Sequence, residues 1–339
     1  MDELKNKVAV ITGASSGIGM ATALAFAEKG YNVVLAARRV KELESIAAEC
    51  KAAGQSKAVG ALPVALDTSD DQAMHQLGQI AVQTFGRVDI WVNNAAVYLA
   101  GKFQDTPIGD MRRLMDVNFF GYVNGSHTAL TLFRGQGYGT LINVSSVNAA
   151  APQPYVGIYS ASKAAVRALD ESLRMELRLD GLEEKIYVCD VMPASIDTNL
   201  FQNGGNYTGQ KIRALEPVYD PEYVAKHIVA LAAKPKREII VGPAGKLMAM
   251  QNTHMPKMYE KQVSRYTSSN LLEDESAMPP STGNLYQPLE ANSGMRGGWR
   301  DARLRADHLN AGLGIGLAII GGIAGVGYWL LKRGEHNSR

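Results

Sequence analysis

Cysteine is nearly missing from this 339-residue chain: Cys50 and Cys189 are the only two, and they lie far apart in settings that read as helix and strand. That excludes a disulfide framework and a CxxC metal site, and no metal is expected; a reducing compartment fits best. A bias of charge is also lacking. A formal net charge of +2 leaves no basic footprint for nucleic acid. Nor does an apolar stretch open the chain, since Met1 to Lys7 is charged and runs directly into a strand-like segment, so no signal peptide is expected. Apolar surface is not lacking. Hydrophobic residues at 46% against 20% charged suffice to bury a core, in a length that holds one large α/β domain plus an appendage.

Residues 7 to 241 alternate short β-branched runs with longer Ala/Leu-rich amphipathic ones, as βαβ units with a parallel sheet do. Strands are expected at Val8 to Thr12, Asn32 to Ala37, Val59 to Leu66, Val88 to Asn93, Gly139 to Ser145, Lys185 to Met192 and Glu238 to Val241. Helical periodicity marks Ala21 to Lys29, Glu42 to Ala53, Asp71 to Phe85, Met111 to Phe133, Ala161 to Leu179 and Pro221 to Ala233. The expected fold is an α/β doubly wound, seven-stranded Rossmann sheet with right-handed crossovers over 1–251.

Beyond residue 252 the pattern dissolves into Ser, Pro, Gly and Asn, and 252–308 reads as a linker without a folded subdomain. An uncharged run, Ala311 to Leu331, follows between arginines and Lys332-Arg333. As a helix it spans roughly 31 Å at about 1.5 Å per residue, close to a bilayer's hydrocarbon thickness, so a transmembrane helix is expected over 309–331 with a short basic tail. Glycines 312, 316, 321 and 325 make two small-xxx-small pairs, either a helix-pairing face or packing filler.

After the first strand comes Thr12-Gly13-Ala14-Ser15-Ser16-Gly17-Ile18-Gly19, then helix formers. A glycine turn lets backbone N–H groups at a helix start approach a pyrophosphate. The spacing alone is cheap, for Gly321, Gly325 and Gly327 repeat it inside the apolar run, where no strand precedes it. The second strand ends Ala37-Arg38-Arg39, with no acid for a ribose 2′-hydroxyl but two guanidinium forks for a 2′-phosphate, so NADP(H) is expected, with Arg38 the first choice. Asp67 either accepts from the adenine amine or caps the following helix.

Tyr159 and Lys163 stand four apart on one helical face, where an ammonium can lower a phenol's pKa from near 10 and make it a workable general acid/base. Tyr98/Lys102, Tyr207/Lys211 and Tyr328/Lys332 share that spacing. Ser146, at the carboxyl end of the fifth strand, singles out the first pair, because sheet ligands sit at strand carboxyl ends.

In this order the motifs resemble the short-chain dehydrogenase/reductase family over roughly residues 5 to 250: the TGxxxGIG turn from Thr12 to Gly19, Asn93-Asn94-Ala95, Asn118, Ser146, and Tyr159-Ser160-Ala161-Ser162-Lys163. The resemblance implies hydride transfer between nicotinamide and a carbonyl or alcohol carbon while Tyr159 handles the proton. It implies that Ser146 holds the oxygen, that Lys163 binds the nicotinamide ribose and lowers the Tyr159 pKa, and that Asn118 holds a water. It further implies that the turn residues Gly13, Ser15, Ser16, Gly17, Ile18 and Gly19 bind cofactor together with Arg38, Arg39, Asp67, Asn94, Ala95, Pro193, Ile196 and Thr198. Ala96 and Ala194 stand where the family commonly has glycine, which puts substrate size in doubt but deletes no reacting group.

Val97, Tyr98, Gln153, Pro154, Tyr155 and Leu200 to Tyr207 fall where the family lines its substrate pocket and are largely apolar, so a lipophilic small-molecule carbonyl or alcohol is expected. The expected partners are completed by a membrane, through the C-terminal helix, and by further copies of the chain in a homo-oligomer. A non-catalytic, membrane-tethered NADP(H)-binding or scaffolding protein is the alternative. Flanking charge does not set orientation; NADPH, a cytoplasmic metabolite, argues for a cytoplasmic catalytic domain.

Overall fold

The computed structural model describes residues 7–54 and 59–300. Seven parallel strands, β1 (Val8–Thr12), β2 (Asn32–Ala37), β3 (Ala61–Ala65), β4 (Ile90–Asn93), β5 (Gly139–Val144), β6 (Ile186–Pro193) and β7 (Glu238–Val241), form one sheet in the order β7-β6-β5-β4-β1-β2-β3. Successive strand side chains enter opposite cores. On β1, Ala9 and Ile11 meet Phe26 of α1 (Gly17–Glu28), Leu43 of α2 (Val40–Ala53) and Val224 of α8 (Pro221–Ala233). Val8 and Val10 face the other way, in a cluster with Met74 and Leu77 of α3 (Asp71–Phe85) and Phe133 of α5 (Gly121–Gln136). Both faces being covered, the strands read as continuous apolar runs and not as alternating ones.

The single helix expected from Met111 to Phe133 is interrupted. α4 (Ile108–Met115) gives way to a π-helical turn at Asp116–Phe120 before α5 begins. Asn118 lies in that turn, fully buried, with both ends of its amide on the main chain of Val97: Oδ1 accepts from Val97 N at 2.8 Å and Nδ2 donates to Val97 O at 2.9 Å. The widened turn thus fixes the chain leaving β4. Such turns recur at functional sites.

α6 (Gly157–Leu179) completes the expected elements, a single turn α7 (Leu200–Asn203) adds one that was not expected, and the chain stays folded past residue 252. α9 (Pro243–His254) and α10 (Pro256–Asn270) each place proline in the first turn, where its missing N–H costs nothing. α10 buries Tyr259, Val263 and Thr267, a stripe at four-residue spacing, and the first two pack with Val147 and Ala151. Residues 278–299 then return as a strap over the loops at the carboxyl ends of β1, β2 and β6, and the compact unit closes at Trp299. The linker reading of 252–308 is corrected to that extent. Composition misleads here because the strap is held by main-chain hydrogen bonds more than by an apolar face. The expected transmembrane helix over 309–331 lies outside the described residues; among those described, no helix is long and apolar enough to cross a membrane.

A buried polar chain joins the sheet to its helices. Trp91 Nε1 donates to Asn93 Oδ1 at 2.8 Å, Asn93 Nδ2 to Asn143 Oδ1 at 2.8 Å, and Asn143 Nδ2 to Asp170 Oδ1 at 2.5 Å. α5 approaches this chain at Gly125, where a Cβ would stand 2.0 Å from Asn93 Oδ1. Gly125→Ala should therefore cost about 2 kcal/mol and roughly 5 °C of melting temperature in calorimetry, whereas an unchanged melting temperature would show the network to be slack.

Candidate active site

The sheet's order reverses between β1 and β4, and a crevice opens at their carboxyl ends. The chain leaving β1 is locked there to the chain leaving β4. Thr12 Oγ1 accepts from Asn94 N at 3.0 Å and Ala95 N at 3.2 Å, and Asn94 Nδ2 donates to Thr12 O at 3.0 Å. The turn between needs glycine: Gly13 has φ +66 with Ala95 Cα 2.7 Å from where its Cβ would be, and a Cβ on Gly19 would lie 2.2 Å from Gly13 O. Ser16 begins α1 without a side-chain cap, and no acid occupies the first turn. Main-chain amides at a helix start, with the room that only glycine leaves, fit a pyrophosphate.

Arg38 and Arg39 stand beside this turn. Burial lowers the Arg38 pKa, Asp67 opposes that, and Arg113 and Arg39 add like-charge repulsion. Arg113, from α4, donates to Asp67 Oδ2 at 2.5 Å, while Asp67 Oδ1 accepts from the backbone and hydroxyl of Ser69. Arg38 and Arg113 thus share one carboxylate, and Arg39, bonded to Ser15, lies close enough to Arg38 to repel it, a cluster of positive charge that a phosphate dianion would complement. Of the two roles open to Asp67, capping falls instead to Asp70, which accepts from Ala73 N at 3.0 Å at the start of α3.

At the other end of the crevice, Ser146 follows β5 while Tyr159 and Lys163 face it from the first turns of α6. Lys163 is 1% exposed; its Nζ donates to Val144 O and to Tyr122 Oη, both at 3.0 Å, and Tyr122 Oη donates to Val144 O at 2.7 Å. The ammonium also sits 5.9 Å from the Tyr159 ring centre. Burial pulls the Lys163 pKa down to about 7, with Asp190 in the next strand working against the fall. The Tyr159 phenol, expected to be lowered, is instead pushed up to about 12, because desolvation outweighs its hydrogen bond with Ser146. It is protonated at neutral pH.

One cavity of about 240 Å³ brings together Gly13, Ser15, Ser16, Gly17, Ile18, Arg38, Arg39, Asp67, Asn94, Ala95, Val97, Ser146, Gln153, Tyr159, Lys163, Pro193, Ile196 and Thr198. Gly19, Asn118, Pro154, Tyr155, Gln202 and Gly204 to Tyr207, also expected at the site, are not part of its wall. Gly19 serves the packing of the turn, and the Asn118 side chain is spent on Val97, so any part Asn118 has in the site passes through its main chain or through Val97. Tyr155, at φ +65, lines a second cavity beside Leu99, Phe103 and Ile158. Of the competing Tyr/Lys pairs, Tyr98 packs edge-on against Tyr159 at 5.2 Å, Lys102 is exposed, and Tyr207 bonds Asp110. Tyr328 and Lys332 lie outside the described residues. Tyr122, Arg113, Leu215 and Leu271 escaped the sequence reading. Only Tyr122, a polar residue on the inner face of a helix next to the site, left a trace that helical phase could have found.

The Lys163 shift makes stability pH-dependent in a definite sense. Between about 7 and the ordinary 10.5 the unfolded chain binds a proton that the folded one does not, so this group's burial cost is full below pH 7 and fades as pH rises toward 10. Lys163→Met removes that cost, and its stability relative to the parent should be highest near pH 6 and decline toward pH 10 in denaturant titrations. A difference that stays flat with pH would contradict the buried ammonium.

The short chain dehydrogenase family profile matches residues 7–206. An uncharacterized oxidoreductase, YxnA of Bacillus subtilis, is 34% identical over 310 residues, 89% of this chain and 85% of its own length; a match of that extent runs beyond residue 252. The mouse dehydrogenase/reductase SDR family member 7B is 30% identical, covering 70% of this chain and 74% of its own. Among solved structures, an alcohol dehydrogenase from the archaeon Thermococcus sibiricus, complexed with 5-hydroxy-NADP, is 28% identical with TM-score 0.59, over 69% of this chain and 95% of its own. A Burkholderia phymatum short-chain dehydrogenase/reductase in complex with NAD is 25% identical with TM-score 0.68, over 82% and 100%. The chain belongs to the short-chain dehydrogenase/reductase family of oxidoreductases, whose fold binds a nicotinamide cofactor.

Proposed function

We propose that the protein interconverts a carbonyl and an alcohol on a lipophilic small molecule with NADP(H), using Tyr159 as general acid/base. The observation that carries the proposal is the meeting of Ser146, Tyr159 and Lys163 in the same crevice as the Gly13–Gly17 turn. A bound nicotinamide supplies or accepts the hydride. Ser146 holds and polarises the substrate oxygen, and the Tyr159 phenol, protonated at neutral pH, delivers the proton that reduction requires. Lys163 binds the nicotinamide ribose, and its charge, retained below about pH 7, favours the phenolate once the proton has left.

The choice of NADP(H) rests on the three arginines and on the lack of an acid after β2, since the two solved relatives above carry NADP- and NAD-type ligands respectively. The lipophilic substrate rests on Tyr98, Phe201, Leu215 and Leu271, which line the crevice near Tyr159. The run Ala311 to Leu331 supports a membrane tether that brings the enzyme to bilayer-dissolved substrates.

A screen of lipid aldehydes, retinoids, steroids and quinones following NADPH absorbance tests this. Tyr159→Phe should slow turnover by about 10²-fold or more, and Arg38→Asp should shift preference from NADPH toward NADH. A Tyr159→Phe enzyme as fast as its parent would refute the proton role, and an unmoved cofactor preference would remove Arg38 from the phosphate site. After carbonate washing the full-length protein should remain with the membrane pellet; release into the supernatant would count against the tether.

A further inference from the structure

The strap sits on the groups to which the proposed function assigns the cofactor. Arg38 donates from Nη2 to Asn284 O at 2.8 Å and from Nη1 to Tyr286 O at 3.3 Å and Leu285 O at 3.5 Å. Arg113 Nε donates to the same Leu285 O at 3.0 Å, and Arg39 Nη1 to Leu289 O at 3.3 Å. Farther along, the amide of Gly17, the first residue of α1, donates to Gly294 O at 3.1 Å. The carbonyls of one peptide segment thus engage both the arginine cluster and the helix start, the places where a 2′-phosphate and a pyrophosphate would bind.

We propose that the segment Asn284–Trp299 is an intrasteric competitor of the cofactor: it closes the crevice by supplying neutral carbonyls where the cofactor supplies phosphates, and it must leave those groups before the dinucleotide can bind. The inference rests on the nicotinamide-dinucleotide reading of the site. Three further observations support it. The cavity beside the seated strap is about 240 Å³, below the roughly 300–1,000 Å³ of sites for drug-sized ligands, and Asn284, Pro288 and Leu289 are part of its wall. The exchange is chemically favourable, since a phosphate dianion offers a guanidinium fork an opposite charge and a bidentate fit, whereas a carbonyl is neutral. And the strap is fastened at its far end by contacts outside the arginine cluster: Asp197 Oδ1 accepts from Gly297 N at 3.1 Å and Trp299 N at 2.9 Å, Trp299 Nε1 donates to Thr198 O at 2.9 Å, and Arg296 pairs with Glu222 at 2.5 Å.

The Trp299 ring meets Phe201 edge-on at 6.0 Å, Phe201 meets Tyr98 at 5.2 Å, and Tyr98 meets Tyr159 at 5.2 Å. One aromatic file therefore connects the strap's end to the proposed proton donor.

The test uses the full-length protein. Closure lowers the fraction of molecules able to bind, so loosening the strap raises apparent affinity by the same factor. Trp299→Ala and, as a surface variant less prone to misfold, Arg296→Glu should each tighten NADPH binding by about 5-fold or more in a fluorescence titration. In the parent protein, saturating NADPH should accelerate tryptic cleavage after Arg296. Weaker NADPH binding by both variants, or protection of Arg296 by bound NADPH, would overturn the inference by making the strap part of the cofactor site. A parallel arm with NADH separates the two claims. Acceleration and tightening seen with NADH alone keep the strap and sink the NADP(H) assignment, whereas a cofactor that binds without changing cleavage sinks the strap and leaves the assignment standing.

Discussion

The chain leaving β1 and the chain leaving β4 turn away from each other at the middle of the sheet, and Thr12 holds them at a fixed separation by accepting from Asn94 N and Ala95 N. The crevice depends on that lock. On one side it sets the glycine turn against Ala95 so closely that Gly13 tolerates no Cβ; on the other it starts the segment through Val97 that Asn118 clamps and that Tyr98 continues beneath Tyr159. A side chain with no reacting role thus spaces the proposed cofactor end from the proposed chemical end.

The electrostatics of the chemical end follow from burial. Lys163 is enclosed with two oxygen acceptors, Val144 O and Tyr122 Oη, and burial pulls its pKa down to about 7 although Asp190 works against the fall. Tyr159 shifts upward in the same surroundings, to about 12. The two therefore move toward neutral forms in the closed crevice, which suits proton donation more than proton abstraction. A cationic nicotinamide in the crevice would favour the phenolate, by the rule that an opposite charge stabilises the charged form.

Much of this was legible in the amino-acid order. The seven strands appear as β-branched runs because both faces of the sheet are buried, and Ser146, Tyr159 and Lys163 could be matched to strand and helix ends. Other features depend on partners distant in sequence. Arg113 meets Asp67 across 46 residues, and no local period announces it. The π-turn at Asp116–Phe120 is invisible to a 3.6-residue period, because it answers to the main chain of Val97. The strap is the largest such case. Its Pro, Gly and Ser content reads as linker since it lacks a core-facing stripe, yet its carbonyls, which composition does not register, are what the arginines bind.

The most direct measurement of the central claim is the fate of a labelled hydride. With NADPH deuterated at one or the other C4 position and a lipophilic aldehyde substrate, mass spectrometry of the alcohol should find deuterium on the carbinol carbon from one labelled form only, as a cofactor held in a single orientation in this crevice requires. Deuterium from neither form, with alcohol still produced, would contradict hydride transfer at this site.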